Sequence, residues 1–221
     1  MKHILVIILL ISFCVASSQE RKTPGQVGSA NDVVGGFFRK SSYHIDGKEI
    51  EGSRFLMPNW QNQGELYANG KILRLNNINL DLSTYEFSQM KSNDSIFIFD
   101  KSSLDSVKIN NKLLKPNYSG KIQEILSEGK NGSLIKHYEV EIIEGMFNPT
   151  DGTTKPSRYK IIEDYYVIKG GIPKKISLNK KNLEDFFGND KGKVEKFIKE
   201  NKLSYKDESD MIRAFNFYNT I

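Results

Sequence analysis

Residues 55–82 read FLMPNWQNQGELYANGKILRLNNINLDL and carry the strongest local structural signals in the chain. Asn69-Gly70 predicts a tight hairpin turn, because a type I′ turn needs positive φ at both central residues. From Ile78 onwards apolar and polar residues alternate, as one buried strand face requires. We therefore predict the central hairpin of an antiparallel sheet. Trp60 would pack at its edge as a core anchor or, alternatively, stack on a ligand.

Strand signals recur about every ten residues on both sides of this stretch. The continuous apolar run at 96–99 predicts a strand buried on both faces, and 134–143 alternates apolar with polar residues. Residues 118–126 also fit helical spacing, but the turn residues that follow favour a strand. Residues 148–157 are typical of a loop. Further strands are predicted at 44–50 around an Asp-Gly turn, 84–90, 104–109, 112–114, 159–162, 165–168 and 175–178, which makes about 9–11 strands in all.

After these strands the hydrophobic period changes from two to about 3.6. Leu183, Phe186 and Phe187 have helical spacing, with Asn179 as the predicted N-cap and Gly188 as the stop. Two further helical stripes follow, namely Val194, Phe197 and Ile198, then Met211, Phe215 and Tyr218.

The last helix has a predicted start at Ser204-x-x-Asp207, which resembles a capping box. A run of strands followed by a run of helices indicates an α+β fold. We predict a mainly antiparallel, curved β-sheet followed by three C-terminal α-helices.

The first residues have the order of a secretory signal peptide. Lys2 is basic, an apolar stretch follows, and small residues precede Gln19. We predict that residues 1–18 are removed by cleavage before Gln19, which places the mature protein outside the cytoplasm. Cys14, the only cysteine, permits an alternative in which it carries a lipid, although the bulky Phe13 disfavours it. After cleavage the chain has no thiol and no disulfide.

Residues 19–36 are polar and glycine-rich, and we predict a flexible leader there. Residues 37–221 then form a single α+β domain, with the sheet at 37–178 and the helices at 179–221. A chain of this length can bury a hydrophobic core without disulfides. No later segment is apolar over the roughly 20 residues that a membrane crossing needs, so no transmembrane span is expected after signal removal.

Several of these features occur together in one known group of proteins. The chain carries Trp60, then G-E-L at 64–66 leading into the Asn-Gly turn, then L-R-L-N at 73–76. A tyrosine strand, YYVI at 165–168, and a lysine-rich helical tail close the pattern. Over nearly the whole mature chain it resembles a family of small exported bacterial proteins of unknown function. The resemblance implies the fold predicted above and export to the bacterial periplasm or to the outside of the cell, and it implies no activity.

Candidate catalytic and metal-ligating residues are few. After signal removal the chain keeps two histidines, His44 and His137, and neither lies in a nucleophile-elbow motif. His137, Glu139 and Glu141 alternate on one strand face and could approach a zinc ion together. A solvated face opposite apolar residues explains them better. No catalytic, cofactor-binding or metal-binding residue is therefore predicted, and no cofactor is expected.

Positive charge is concentrated towards the C-terminus. The net charge of the whole chain is +5 and the sequence pI is about 9.0, too small an excess to indicate nucleic acid. The basic end, which begins at Lys169 and ends at Lys206, holds eleven lysines against five acidic residues. It could contact an anionic surface such as phospholipid or lipopolysaccharide. Lysines on the wet face of a soluble helix explain it more simply.

These observations predict an exported cell-envelope protein that acts by binding or assembly rather than catalysis. Its partner is unknown, and an envelope protein or an anionic surface is expected. One alternative is a hydrolase that uses carboxylates or His137, and another is a periplasmic carrier that holds an apolar ligand in a curved sheet. A large apolar cavity favours the carrier, and convergent carboxylates or histidines in a cleft favour the enzyme. A filled core with neither favours binding or assembly.

Overall fold

The computed structural model describes residues 34–40, 50–92, 95–117, 119–150 and 152–221. The predicted signal peptide, most of the leader, His44 and the Asp-Gly turn beside it lie outside these ranges. The described strands are β1 (Gly36–Lys40), β2 (Gln63–Ala68), β3 (Lys71–Asn76), β4 (Ile78–Asp81), β5 (Glu86–Ser92), β6 (Ser95–Phe99), β7 (Ser106–Ile109), β8 (Lys112–Pro116), β9 (Ile122–Ser127), β10 (Ser133–Ile143), β11 (Phe147–Asn148), β12 (Thr153–Thr154), β13 (Arg158–Lys169) and β14 (Ile172–Ile176). The described helices are α1 (Lys180–Phe187), α2 (Lys191–Glu200) and α3 (Glu208–Tyr218).

These strands form three sheets, and every pairing between them is antiparallel. The large sheet has eight strands in the order β14-β13-β10-β9-β8-β7-β2-β3. A second sheet has four strands in the order β1-β6-β5-β4, and β11 pairs with β12. The antiparallel pairing and the order of strands before helices are confirmed. The prediction of one sheet with about 9–11 strands is wrong, because the strands divide between separate sheets.

The turn at Asn69-Gly70 forms as predicted. The φ angles are 51° at Asn69 and 71° at Gly70, and Ala68 lies opposite Lys71 in the β2–β3 pairing. Both central residues thus have the positive φ of a type I′ turn. Asparagine and glycine adopt this region at lower cost than other residues, which explains why the chain reverses here.

The hairpin closed by this turn lies at the edge of the large sheet, so the predicted central position is wrong. After β3, Asn77 has a φ of 58° and turns the chain into β4, which belongs to the four-stranded sheet. Ile78, the first residue of β4, packs over Gly64, where a Cβ atom would lie 2.5 Å from the Ile78 side chain. The alternating pattern thus predicts the strand but not the sheet that the strand joins.

β4 is buried along its whole length, including its polar residues. The Asn79 side chain accepts a hydrogen bond from the Met57 amide and donates one to the Met57 carbonyl oxygen, both at 3.0 Å. Asp81 pairs with the buried Arg54 at 2.7 Å. These contacts attach residues 54–57 to β4, since each buried polar group finds its partner there.

Trp60 is half-buried, and the prediction that it anchors the core is wrong. Its ring packs edge-to-face against Phe55, with the two ring centroids 4.8 Å apart. Trp60 belongs to neither of the hydrophobic clusters of the described residues, and Leu66, Leu73 and Leu80 are among the buried members of the first. The core of this region is therefore filled without the indole ring.

The buried apolar side chains of the described residues form two hydrophobic cores. The first joins the two larger sheets and includes Leu66 from the large sheet and Phe87 from the four-stranded sheet. The second joins the large sheet to the helices and includes Phe215. On β10, Tyr138 belongs to the first core and Leu134 to the second. These two side chains share one face of the strand, because residues an even number apart point the same way.

The C-terminal region has two helical segments, not the three separate helices that the sequence predicts. A 3₁₀ turn, Gly188–Asp190, joins α1 directly to α2, and α3 follows after a short break. Asn179 accepts a hydrogen bond from the Asn182 amide, and Gly188 has a φ of 57°, so the predicted cap and stop are confirmed. Gly188 therefore ends α1, and the 3₁₀ turn leads directly into α2.

The last helix begins three residues later than its predicted capping box. Asp207 is the N-cap of α3, and its side chain accepts a hydrogen bond from the Asp210 amide at 3.0 Å. The Ser204 amide instead donates to the Asp210 side chain at 2.9 Å. The Asp207 carboxylate thus satisfies a free amide in the first turn of the helix, and the Asp210 carboxylate satisfies the Ser204 amide in the segment before it.

Two predicted boundaries between strands and loops also differ from the structure. The strands predicted at 159–162 and 165–168 are one strand, β13, because Glu163 and Asp164 between them both pair with lysines on neighbouring strands. The loop predicted at 148–157 contains β12 and part of β11.

Candidate functional site: the β-arm and the groove at its base

One pair of strands extends beyond its neighbours in the large sheet. β10 and β13 pair along all 11 residues of β10. Within the described residues, β9 pairs with β10 only as far as His137, and β14 pairs with β13 only from Tyr165 onwards. The pair β11–β12 continues the hairpin, with Phe147 opposite Thr154. We call residues 139–162 the arm.

The two edges of the arm differ. On the β13 side, Glu51 forms backbone hydrogen bonds with Ser157 and Tyr159, both 2.9 Å long. On the β10 side, the Tyr85 hydroxyl donates to the Tyr138 carbonyl oxygen at 3.0 Å, at the base of the arm. From there to the end of β10, no strand in the described part of the chain pairs with this edge. An unpaired strand edge is a template for another strand.

Apolar side chains become exposed along the arm. The exposed fraction rises from 2% at Tyr138 to 39% at Ile142, and reaches 72% at Met146 and 63% at Phe147. Exposed apolar side chains that lie together mark surfaces for interaction, since leaving them in water is unfavourable. The arm thus combines an open edge with an apolar surface.

A groove of about 390 Å³ lies where the arm leaves the sheet. Its apolar walls are Val140, Ile142 and Tyr159 from the arm, and Leu82 and Tyr85 from the turn between β4 and β5. The three arm residues lie on the strand face that continues the first core. The volume is within the range of sites that take small ligands or apolar side chains.

Polar groups at the rim of the groove already have partners. Glu139 pairs with Lys121 at 2.7 Å, and the Ser83 hydroxyl donates to Asp81 at 2.6 Å. Burial raises the pKa of the Tyr85 hydroxyl, which therefore stays a hydrogen-bond donor at neutral pH. None of the described lining residues is a histidine. The groove offers apolar contact rather than an activated nucleophile.

A band of charged side chains separates the two cores on the inner face of the large sheet. Its first part joins β8, β9 and β10. Lys112 donates to Glu124 at 2.9 Å and to the Tyr138 hydroxyl at 2.9 Å, and Tyr138 donates to Glu124. Glu124 and Tyr138 are buried, so these bonds compensate the loss of their hydration.

The second part of the band joins the sheet to α3. Lys136 is buried and pairs with Glu208 and, at 3.4 Å, with Glu163. The Tyr165 hydroxyl donates to Glu208 at 2.6 Å. A buried lysine needs such carboxylates because an isolated charge is costly to take out of water. The band thus fixes the last helix on the sheet.

Four groups of this band, namely Tyr138, Tyr165, Lys136 and Glu208, are held in their ordinary charge states. Burial and the hydrogen bond to Glu124 raise the pKa of Tyr138, and burial with the bond to Glu208 raises the pKa of Tyr165 to about 12. Burial disfavours the charge of Lys136, but the bond and charge of Glu208 outweigh it and raise the pKa of Lys136. Burial likewise opposes ionisation of Glu208, yet Lys136 and Tyr165 lower its pKa. Groups so far from titrating at neutral pH are poor proton donors and acceptors.

His137, the histidine of the alternative hydrolase, lies on the opposite face of β10 from this band. Its Nε2 is 3.1 Å from the Gln123 side-chain oxygen, and its ring packs on Tyr166 with centroids 4.6 Å apart. Burial and then the charge of Lys121 lower the pKa of His137. The ring is therefore neutral at neutral pH and serves as a cross-strand packing group.

Glu139 and Glu141 share the outer face of β10 with His137, as their alternation predicts, and both are exposed. In the ranges that the structure describes, no group of three or more His, Cys, Asp or Glu side chains could hold a metal ion. The geometry places the two glutamates as solvent-facing strand residues.

Lysines of the basic end pair with carboxylates of the same region. Lys180 lies 3.2 Å from Glu184 and 3.3 Å from Glu195, and Lys191 lies 2.8 Å from Glu184. Such pairs on a wet helix face contribute little stability. They also neutralise part of the charge that an anionic surface would attract.

Sequence reasoning missed both the arm and the charged band, although each left a signal. Lys136 shares a strand face with Tyr138, so the same alternation that predicts a buried Tyr138 predicts a buried lysine. A lysine in such a place requires a carboxylate nearby. At the tip, Met146 and Phe147 are large apolar residues next to a Pro- and Thr-rich turn, where burial is not expected.

The chain matches no family model, and comparisons with curated proteins and with solved structures found no match. None of the helices in the described part of the chain combines the length and the apolar character that a membrane crossing requires. The function is therefore inferred from the geometry of the arm, the groove and the band.

Proposed function

We propose that this protein is exported to the bacterial cell envelope and acts there by binding or assembly, without catalysing a reaction. The observation that carries the proposal is the arm, where a strand edge that no described strand pairs with lies beside exposed Ile142, Met146 and Phe147. The residue order of 1–18 supports export. The resemblance to small exported bacterial proteins supports the same location.

The proposal includes the architecture predicted for the mature chain. Residues 37–221 form one α+β domain, and the large sheet is curved. The packing of both the four-stranded sheet and the helices on one face of the large sheet supports this. The basic end is a second candidate contact surface, for an anionic partner, with less support because several of its lysines are paired.

A hydrolase receives less support from the geometry. The convergent carboxylates of the band, Glu124 and Glu208, each accept hydrogen bonds from a tyrosine and a lysine. His137 contacts an amide and an aromatic ring on the other face of the sheet. General acid–base catalysis needs groups that titrate near the working pH and reach a substrate.

A carrier of an apolar ligand would use the groove at the base of the arm. The groove, at about 390 Å³, is near the lower end of the volumes typical of small-ligand sites. It runs beside the open edge of β10. That shape suits the apolar side chains of a docked strand better than an enclosed ligand.

Site-specific photo-cross-linking in the native cell tests the proposal. Benzoylphenylalanine replaces Phe147 in the arm or, as a control, Ile172, which is 73% exposed on the edge strand β14. We expect a product of defined mass from position 147, not from position 172, that disappears when Ile142→Lys is added. No product from position 147, or equal products from both positions, would argue against contact through the arm.

Export is tested on the same cells. Mass spectrometry of the protein recovered from the envelope fraction is expected to find Gln19 at the N-terminus. An intact Met1 or a lipid on Cys14 would contradict the cleavage site.

A further inference from the structure

We propose that the partner of the arm is a second copy of this chain, paired edge to edge through β10 with Ile142 at the twofold axis. The inference rests on the proposed binding or assembly function and names the partner. β10 is the edge that the described chain leaves open, whereas Glu51 already bonds to the β13 side of the arm. Covering such an edge with an identical edge removes it from solvent in both copies.

The charges along β10 select the register of this pairing. In an antiparallel pair centred on one residue, that residue faces its own copy and its neighbours face each other across the axis. Centring on Glu141 places two carboxylates opposite each other, and centring on Val140 places Glu139 opposite the second copy's Glu141. Like charges in directly opposed positions destabilise a sheet.

Centring on Ile142 avoids both conflicts. Ile142 then faces the second copy's Ile142, and Glu141 faces the second copy's Ile143. These central positions lie within β10, which ends at Ile143. Centring one residue later would bring Glu144, which lies beyond that end, into the three central positions. A Cβ atom at Gly145 would lie 2.2 Å from the Lys155 carbonyl oxygen, so the chain is tightly held there.

The same register brings the exposed tip of one copy to the groove of the other. Met146 lies four residues beyond the axis, and Tyr138 lies four residues before it. The β11–β12 pair continues the register of β10 with β13. The second copy's Met146 therefore comes level with Tyr138, whose carbonyl oxygen accepts from Tyr85 at the end of the groove. By symmetry each tip covers the groove of the other copy. One contact thus buries both the groove and the exposed Met146 side chain.

A second copy fits the charges of the arm better than an anionic lipid surface does. The described residues of the arm include three acidic side chains, Glu139, Glu141 and Glu144, and three basic ones, Lys155, Arg158 and Lys160. Attraction to anionic lipid needs a cationic surplus near the surface. A strand of another protein would meet the same open edge but would lack the matched tip and groove.

Disulfide trapping tests the pairing at its axis. The full chain carries Cys14→Ser, so that an introduced thiol is the only one. Ile142→Cys would bring two thiols together across the axis, since opposed Cβ atoms in a sheet are about 4.5–5.5 Å apart. Ile72→Cys on the edge strand β3 and Ile172→Cys on the edge strand β14 are matched controls, exposed at 54% and 73%.

We expect rapid formation of a disulfide dimer from Ile142→Cys and not from either control. We also expect a concentration-dependent dimer of the unmodified chain by analytical ultracentrifugation, lost in Ile142→Lys and kept in Ile172→Lys. A chain that stays monomeric at all concentrations, or a disulfide that forms equally well at a control position, would overturn the inference. If the photo-cross-link from position 147 then leads to a different protein, the binding function stands with another partner. If there is no such cross-link either, both proposals fail.

Discussion

The inner and outer halves of the β10–β13 pair share one continuous backbone pairing and have opposite surroundings. In the inner half, residues 133–138, Leu134 and Tyr138 are buried under the helices and the second sheet. In the outer half, residues 139–143, Ile142 and Ile143 are exposed at 39% and 37%. Backbone hydrogen bonding along a strand pair therefore does not distinguish a segment that maintains the fold from one that forms a contact surface. The elements that pack on the pair make that distinction.

The border between the halves lies at the charged band. Tyr138 donates to Glu124 on the inner side, and its carbonyl oxygen accepts from Tyr85 at the start of the arm. Inside this border every buried polar side chain of the band has a partner from the same chain. Outside it, Ile142 and Ile143 are exposed, and Val140 is half-buried against the first core. We infer that the inner half maintains the fold and that the outer half makes contacts.

The largest change in stability is expected from substitutions in the helices that pack on the inner half. Phe215 is fully buried, and its ring lies 5.3 Å from the rings of both Phe186 and Phe187. Phe215→Ala should lower the free energy of unfolding by about 3–5 kcal/mol, because it removes apolar contact and leaves a cavity. Chemical denaturation measures this change.

Phe197→Ala is the matched control for Phe215→Ala. Phe197 is half-buried and stacks on Phe217 with centroids 4.3 Å apart. Its loss should cost less, since neighbouring side chains and water can fill the space. Equal effects for both substitutions would show that the helices do not cover the sheet through Phe215.

The next largest change in the free energy of unfolding is expected for the charged band. Tyr138→Phe removes the hydroxyl that donates to Glu124 and accepts from Lys112. The buried carboxylate then loses one donor, and the free energy of unfolding should fall by about 1–3 kcal/mol. Tyr166→Phe, on the outer face, should change it by less than about 0.5 kcal/mol. Thermal unfolding of the two variants measures both changes. Similar losses of stability would show that the hydrogen bonds of the Tyr138 hydroxyl do not stabilise the fold.

The pH dependence of stability separates the band from exposed charges. The pKa of Glu208 is lowered below its usual value of 4.5 in the folded state. Its ionised form therefore stabilises the fold above that pH, and this contribution is lost as the pH falls through the folded pKa. We expect Glu208→Gln to be less stable at neutral pH and to depend less on pH below about 4.5. Denaturation curves between neutral and acid pH measure both, and parallel curves would refute the contribution of Glu208.

Substitutions in the outer half should have the smallest effect on folding. Ile142→Ser with Met146→Ser replaces exposed apolar side chains, so the free energy of unfolding in dilute solution should change by less than about 0.5 kcal/mol. The same double variant should lose the cross-link from position 147. A large loss of stability instead would mean that the arm packs within its own chain.

Local structure could be predicted from the sequence where a few neighbouring residues decide it. Asn69 and Gly70 adopt the positive φ that they tolerate best, and Asn179 and Gly188 cap and stop α1. Residues 96–99 are buried as their continuous apolar run indicates. These features depend on conformational preference and hydrophobic period, which the sequence carries directly.

Tertiary arrangement could not be predicted in the same way. Whether β4 continues beside β3 depends on Asn77, one residue whose backbone sends the chain into another sheet. Lys136 is buried because Glu208, 72 residues later in the chain, comes within reach of it. The arm is exposed because its neighbouring strands end early. Each of these outcomes depends on contacts between distant segments, which a pattern of neighbouring residues does not encode.

Hydrogen exchange along β10 tests the difference between the two halves most directly. In a dilute sample, peptides from residues 133–138 should exchange only by opening that approaches global unfolding, whereas peptides from residues 139–147 should exchange by local opening at far lower free energy. Raising the protein concentration should slow exchange in the outer half and leave the inner half unchanged. Equal, concentration-independent protection of both halves would contradict the account, because the chain itself would then cover the arm.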